Sequence, residues 1–299
     1  MSIIDKEFKR VLSDILEKGK EYTNERRGVK RLQIPSCNIR HELKDGFPLV
    51  SLKQTPFKNV VTELIWFLRG NTNIKYLNEN KNYIWNPDAY NLYKKLAGHT
   101  ALSYDEFNDF GIGSVGKNYS YQWRNFNGKI DQIDELIKGM KADIMGSRLI
   151  VTAWNPSELN DTALPPCHNF FQVVGVPLEN GNFGFELHFN MRSWDYFLGA
   201  SYNLASYALL ALILENITGY KALAIECNAH CVHLYDNSIT ESLELIKRDE
   251  NGNNNCEVII KKQLNSVQDF NTLEYSDFEL KDYTYFDAMK VKMIAPKEI

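Results

Sequence analysis

The chain has 299 residues, 44% of them hydrophobic, with a formal net charge of −4 and a pI of about 5.9. That length carries a substantial core, as one large domain or two small ones. The acidic balance offers no global basic field for a nucleic acid polymer, so an anionic ligand must be held by a few placed arginines.

The opening "MSIIDKEFKRVLSDILEKGK" is charged and amphipathic, unlike a secretory leader. Ser2 caps it, and Ile4, Phe8, Val11, Leu12 and Ile15 share one face, which predicts a helix over 2–18. The basic stretch "YTNERRGVKRL" (22–32) reads by itself as a solvated loop. As an anion clamp it needs partners from elsewhere, and Arg148 and Arg192 are available. Pro56 starts a second helix, striped by Val60, Val61, Leu64, Ile65 and Leu68 and followed by Gly70. Residues 90–113 are polar, tyrosine-rich and irregular, the pattern of an insertion or mobile loop. A third helix is predicted over 131–141.

Strands are predicted at 148–154, 170–176, 183–189, 222–227, 257–262 and 289–294. "ENGN" (179–182) turns the second of these into the third as a hairpin. The most apolar run, "LASYALLALIL" (204–214), is too short to span a bilayer and predicts a central core helix over 204–217 that stops at Gly219. Without a regular βαβ rhythm or a linker, the expectation is a single α+β domain over 1–299. It should have a mixed or mainly antiparallel sheet packed with helices around that long apolar helix. A cytoplasmic protein, with no membrane partner, is expected.

Five cysteines (Cys37, Cys167, Cys227, Cys231 and Cys256) form an odd, scattered set, against a disulfide framework. Cys227 and Cys231, with His230 and His233 near, raise the question of zinc. There is only one such cluster and Cys227 lies in a strand-like run, so no metal is expected. "ALPPCHNFFQ" (163–172) braces Cys167 behind two prolines and ahead of His168, a stiff mounting suited to a nucleophile. Composition alone favours an inert buried thiol there. In "NMRSWDYFLGASYNLASYALL" (190–210), Arg192, Ser193, Asp195, Gly199 and Asn203 interrupt an apolar run. Near a helix N-terminus, Asn203 could show a donor and an acceptor to uracil, although a structural cap is as good a reading. His233 and Tyr235 alternate in "CVHLYDN", so on a strand both face one way and could share a hydroxyl ligand, or be a satisfied buried pair.

The order of these pieces is the stronger signal. The segments "DGFPLVSLK", "TELIWFLRGNTNIKYL", "IW", "YQWR", "SRLIVTAWNPSEL", "LPPCHNFFQ", "RSWDYFLGASYNLASYALL" and "HLYDN" together resemble the thymidylate synthase family, over about residues 20–295. The resemblance implies one-carbon transfer from 5,10-methylenetetrahydrofolate to C5 of dUMP through a Cys167 adduct at C6. It implies Glu63 as the acid/base group, Tyr119 and His168 at the proton transfers and water network, and Arg192 beside the thiol. It implies Arg26, Arg148, Arg192 and Ser193 for the phosphate, Gln172 and Asn203 for the nucleotide, and His233 and Tyr235 for the sugar. Lys53, Ile84, Trp85, Leu164, Asp195 and Gly199 match folate-side positions. A homodimer is implied too, with Arg148 reaching the partner's phosphate site.

Several positions depart from the family pattern. Ser147 stands where a second arginine is usual, Lys117, Asn118 and Ser120 surround Tyr119, and Ser201-Tyr202 precede Asn203. These polar changes keep a second product in view, a hydroxymethylated pyrimidine formed when water replaces hydride; a catalytically inactive nucleotide-binding homologue is the third reading.

Overall fold

A computed structural model describes residues 2–24, 28–111, 113–179, 181–248 and 255–291. Its first half is mainly helical. Helix α1 (Ile3–Lys18), capped by Ser2, buries the predicted face of Ile4, Phe8, Val11, Leu12 and Ile15. Strands β1 (Lys20–Asn24) and β2 (Val29–Glu42) follow, then α2 (Phe57–Leu68), α3 (Lys75–Glu79), α4 (Asn86–Ala97), α5 (Tyr104–Phe110), α6 (Tyr119–Asn125) and α7 (Gln132–Ala142). The second half alternates: β3 (Ile150–Thr152), β4 (His168–Pro177), β5 (Phe183–Met191), β6 (Trp194–Asp195), α8 (Tyr196–Thr218), β7 (Lys221–Tyr235), α9 (Ile239–Leu245), β8 (Glu257–Ile260) and β9 (Phe278–Lys281).

The main sheet has the order β1-β2-β7-β5-β4-β3, with β6 also on β7. All its pairs are antiparallel except β5–β7 and β6–β7. A parallel pair needs a crossover. That crossover is α8, which explains why the most apolar helix lies over the sheet. At 23 residues α8 is long and apolar enough to cross a membrane, longer than the run over 204–214 suggested, but 72% of its most apolar window is buried inside the protein. The α+β architecture with a mixed sheet and central helix is thus as expected, and the helix starts earlier, at Tyr196. Asp195 caps it by accepting from the Leu198 N–H, and Gly219 ends it in the left-handed conformation.

Four further expectations are corrected. Residues 90–113 are not irregular: α4 and α5 occupy most of them, held together by the rings of Tyr90, Tyr93 and Phe107. Tyrosine buries its ring while keeping its hydroxyl bonded, so a polar-looking stretch packs as helix. The flanks of the basic segment 22–32 are a β1–β2 ribbon rather than loop. The strand begun at 222 runs on to Tyr235, far past 227. Residues 289–291 form no strand, and the rest of 289–294 lies outside the described residues.

Pairing in the sheet is interrupted on neighbouring strands. On β7, Cys231 has φ +45°, and the β2–β7 register skips it together with Pro35, which has no N–H to donate. Beside it, β5 stops pairing at Met191 and β6 resumes at Trp194 in the same register, so Arg192 and Ser193 leave the ladder between them. One strand further, the β4–β5 register slips between His168 and Phe170. Cys167, His168, Arg192, Ser193 and His233 lie at or beside these interruptions.

Candidate active site

Cys167 sits at the entrance to β4, partly buried. Its amide N–H donates to the Tyr119 hydroxyl at 2.5 Å, and its carbonyl accepts from the Arg192 N–H at 2.8 Å. The side chain of Arg192 turns back on the same loop. Its Nε donates to the Pro166 carbonyl and its Nη2 to the Pro165 carbonyl, both at 2.7 Å, and Nη2 lies 4.0 Å from the Cys167 Sγ. The two prolines therefore act as acceptors that orient the cation beside the sulfur. Trp154 covers the guanidinium, its ring centroid 5.3 Å away. Among the described residues nothing takes the Nη1 donors of Arg192.

His168 stacks on Tyr119, centroids 3.7 Å apart and ring planes nearly parallel, and its Nδ1 meets the Tyr207 hydroxyl at 2.9 Å. Burial pushes the His168 imidazole down to about 3, so it is neutral at pH 7. Burial also raises the Tyr119 and Tyr207 phenols well above their ordinary value, leaving both as neutral hydroxyls. Phe67, from α2, contacts the rings of Trp85, Tyr119, Trp123 and His168, and so joins the helical half to the cysteine.

Glu63, one turn before Phe67 on α2, accepts from the Trp85 indole at 2.7 Å. Burial pushes its carboxyl up to about 7 although the Trp85 N–H favours the charged form. Tyr202 lies near enough to feel that carboxylate: burial first, then the Glu63 charge, raises its phenol to about 12. Lys53, only 6% exposed, donates to the Phe197 carbonyl at 2.6 Å and lies over the Phe197 ring. Burial lowers its ammonium to about 8, opposed by Asp195. Gly199 is in the first turn of α8, and Ile84 and Leu164 pack partly buried against the core.

His233 and Tyr235 share the end of β7 as predicted, their rings in edge contact at 4.9 Å, and His233 Nδ1 meets the Cys231 carbonyl at 2.7 Å. Asp195 is the strand partner of His233, which ties this pair to the β6–α8 corner. Asn203 is in the second turn of α8, not at its N-terminus, and its Oδ1 accepts from the Trp194 indole at 3.0 Å. Cys227 lies fully buried in the core on β7.

The structure therefore brings together Cys167, Arg192, Tyr119 and His168, links them through aromatic rings to Trp85 and Glu63, and through Ser193 and β6 to Asp195, Asn203 and His233. It sets two candidates apart. Arg148 is exposed ahead of β3, and no side-chain hydrogen bond or ion pair among the described residues joins it to that cluster. Gln172, opposite Ile150, donates to the Ser147 carbonyl at 3.2 Å. Arg26, with Arg27, lies outside the described residues. Tyr207, Trp154 and Trp194 were not singled out in the sequence. Each has a polar or π-bearing group that, once buried, must meet a partner, and that requirement was the available signal.

A family model described as thymidylate synthase matches residues 6–295. The chain is similar to thymidylate synthase of Malacoplasma penetrans, 35% identical over 297 residues that cover 96% of this chain and 99% of the relative. It is also similar to thymidylate synthase of Mycoplasma mobile, 34% identical with 95% and 97% covered, and of Mycoplasma pneumoniae, 32% identical with 92% and 95% covered.

Proposed function

The chain belongs to the thymidylate synthase family, and on that premise we propose that it transfers one carbon from 5,10-methylenetetrahydrofolate to C5 of dUMP, yielding dTMP and dihydrofolate. The observation that carries the reading is the Cys167–Arg192 mounting: a sulfur with a fixed cation 4.0 Å away, on a loop whose carbonyls hold that cation in place. The positive charge favours the thiolate, the form that adds to C6 of the uracil and can later be eliminated. With two donors used on the loop, the Nη1 end of Arg192 remains to bind phosphate together with Ser193 and Arg26. Addition at C6 moves negative charge toward O4 and makes C5 the nucleophile. Asn203 bonds the ring edge, and Glu63, poised near neutrality, gives and takes protons through water. Tyr119, a neutral hydroxyl held on the Cys167 amide and the His168 ring, orients the water that carries the C5 proton away. His233 and Tyr235 bind the sugar hydroxyl.

The folate supplies the carbon and the hydride when bound. The residues fit such a ligand: Trp85 is an aromatic platform with Ile84 and Leu164, Glu63 is a carboxyl that can protonate ring nitrogen, and Lys53 is a buried cation for a carboxylate tail, beside Asp195 and Gly199. The relatives' name supports the methyl product over the hydroxymethyl one.

We also read the protein as a cytoplasmic homodimer. In β3 and over 170–174 of β4 the even-numbered side chains form the more exposed face of the sheet, and Ile150, Phe170 and Val174 there are 47%, 37% and 38% exposed. A second copy on that face would cover them and bring its Arg148, at the edge of the same face, toward the phosphate site. The test of the reaction is incubation with dUMP and 5,10-methylenetetrahydrofolate. dTMP by mass and dihydrofolate by absorbance are expected in equal amounts, and Cys167→Ala should lower turnover about a thousandfold or more. Undiminished turnover in Cys167→Ala overturns the proposal. A product heavier by one oxygen, without dihydrofolate, transfers the assignment to a hydroxymethylase.

A further inference from the structure

The hydrogen bond from Trp194 to Asn203 has a consequence for base selection. Trp194 is 1% exposed, its ring packs edge-on against Tyr196 at 5.2 Å, and its backbone pairs with Val232, so its indole N–H is a fixed donor. It reaches Asn203 Oδ1 at 3.0 Å. On the same helix, one turn earlier, a Cβ at Gly199 would stand 3.3 Å from that oxygen. A bare backbone at 199 and an N–H at 194 together make a seat for a carbonyl oxygen.

A carboxamide can be turned over with almost no change of shape, exchanging its oxygen and its amino group. The exchange reverses what it reads. Uracil shows an acceptor at O4 and a donor at N3–H, while cytosine shows a donor at N4 and an acceptor at N3. One orientation of the side chain matches uracil and the turned-over one matches cytosine. Turning Asn203 over would set its NH2 against the Trp194 N–H, two donors facing each other in a partly buried place.

We infer that Trp194 is a positioning residue for base selection: by holding Asn203 Oδ1 it leaves the carboxamide only the orientation that reads uracil. The inference rests on the assignment of Asn203 to the uracil edge made above. It does not require Trp194 to touch the nucleotide.

The test compares dissociation constants for dUMP and dCMP, and kcat and KM for dUMP. The proteins are the wild type, Trp194→Phe, Asn203→Ala, the double variant, and a protein with a benzothiophene-bearing amino acid at position 194. Benzothiophene keeps the indole's shape and lacks its N–H, so it decides the matter if Trp194→Phe fails to fold. Loss of the N–H should lower the dUMP-over-dCMP preference about ten- to hundredfold, with KM for dUMP moving more than kcat. It should have no further effect in the Asn203→Ala background. A merely structural role would weaken both nucleotides alike. If the benzothiophene protein keeps the wild-type preference while Asn203→Ala loses it, this inference fails and the Asn203 assignment stands. If Asn203→Ala itself keeps the preference, the assignment fails and the inference falls with it.

Discussion

Glu63 shows how one residue's surroundings set both chemistry and stability. Burial pushes its carboxyl up to about 7, against a hydrogen bond from Trp85 that acts the other way. In the unfolded chain the group titrates near 4.3. Between those values the folded protein keeps a proton that the unfolded chain has released, so stability present below about pH 4.3 is lost as pH rises through about 7. Glu63→Gln carries no such titration. Thermal melts should show a flatter decline between about pH 5 and 8, and a variant more stable than the wild type at the upper end. Turnover should meanwhile fall about a hundredfold or more. An unchanged slope in the variant would assign the decline to another group. His168 is the contrasting case: pushed down to about 3, it stays neutral and works as a hydrogen-bonding plate under Tyr119.

Among the elements, the segment ahead of α6 decides where Tyr119 stands. It is laced to the segment before Cys167: Gly116 pairs with Thr162 in an isolated bridge, the Lys117 N–H donates to the Asp161 carbonyl at 3.0 Å, and the Ala163 N–H to the Val115 carbonyl at 2.9 Å. Lys117, a departure from the family pattern, adds an ion pair with Glu158 at 2.7 Å. Gly116 has φ +72°, and a Cβ there would lie 2.0 Å from the Asp161 carbonyl oxygen, closer than any real contact. Gly116→Ala must therefore part the two segments. The expected cost is about 1–3 kcal/mol in denaturant melts, with kcat down at least about tenfold as Tyr119 leaves the Cys167 amide. A variant with wild-type kcat would show that this lacing does not place Tyr119.

At the scale of the whole molecule, the open sheet face and the distant Arg148 raise one question, which is whether the site is complete in a single chain. If Arg148 acts across a dimer, Arg148→Ala and Cys167→Ala chains are each nearly inactive alone. Mixed under exchanging conditions, they should recover about a quarter of wild-type activity, because half of the dimers then hold one intact site. No recovery, with mixed dimers shown to form by native mass spectrometry, would place Arg148 outside the reaction.

Much of this was legible from local pattern. The face of α1, the hairpin at 179–182, the glycine stop of α8 and the strand carrying His233 and Tyr235 follow from periodicity and turn chemistry, which depend on neighbouring residues alone. The proline brace on Cys167 was visible for the same reason. Other features arise only when distant segments meet. The 90–113 helices depend on tyrosine rings packing together, and the β1–β2 ribbon depends on β7 as a partner. The interrupted pairing at Pro35, Arg192 and Cys231 involves strands far apart in the chain. Residue order sets what each segment can become, because backbone preference is local. Tertiary contact alone decided which oxygen the Trp194 indole meets, how far Arg192 stands from the sulfur and how strongly Glu63 holds its proton, because burial and hydrogen bonding depend on what the folded chain places around each group.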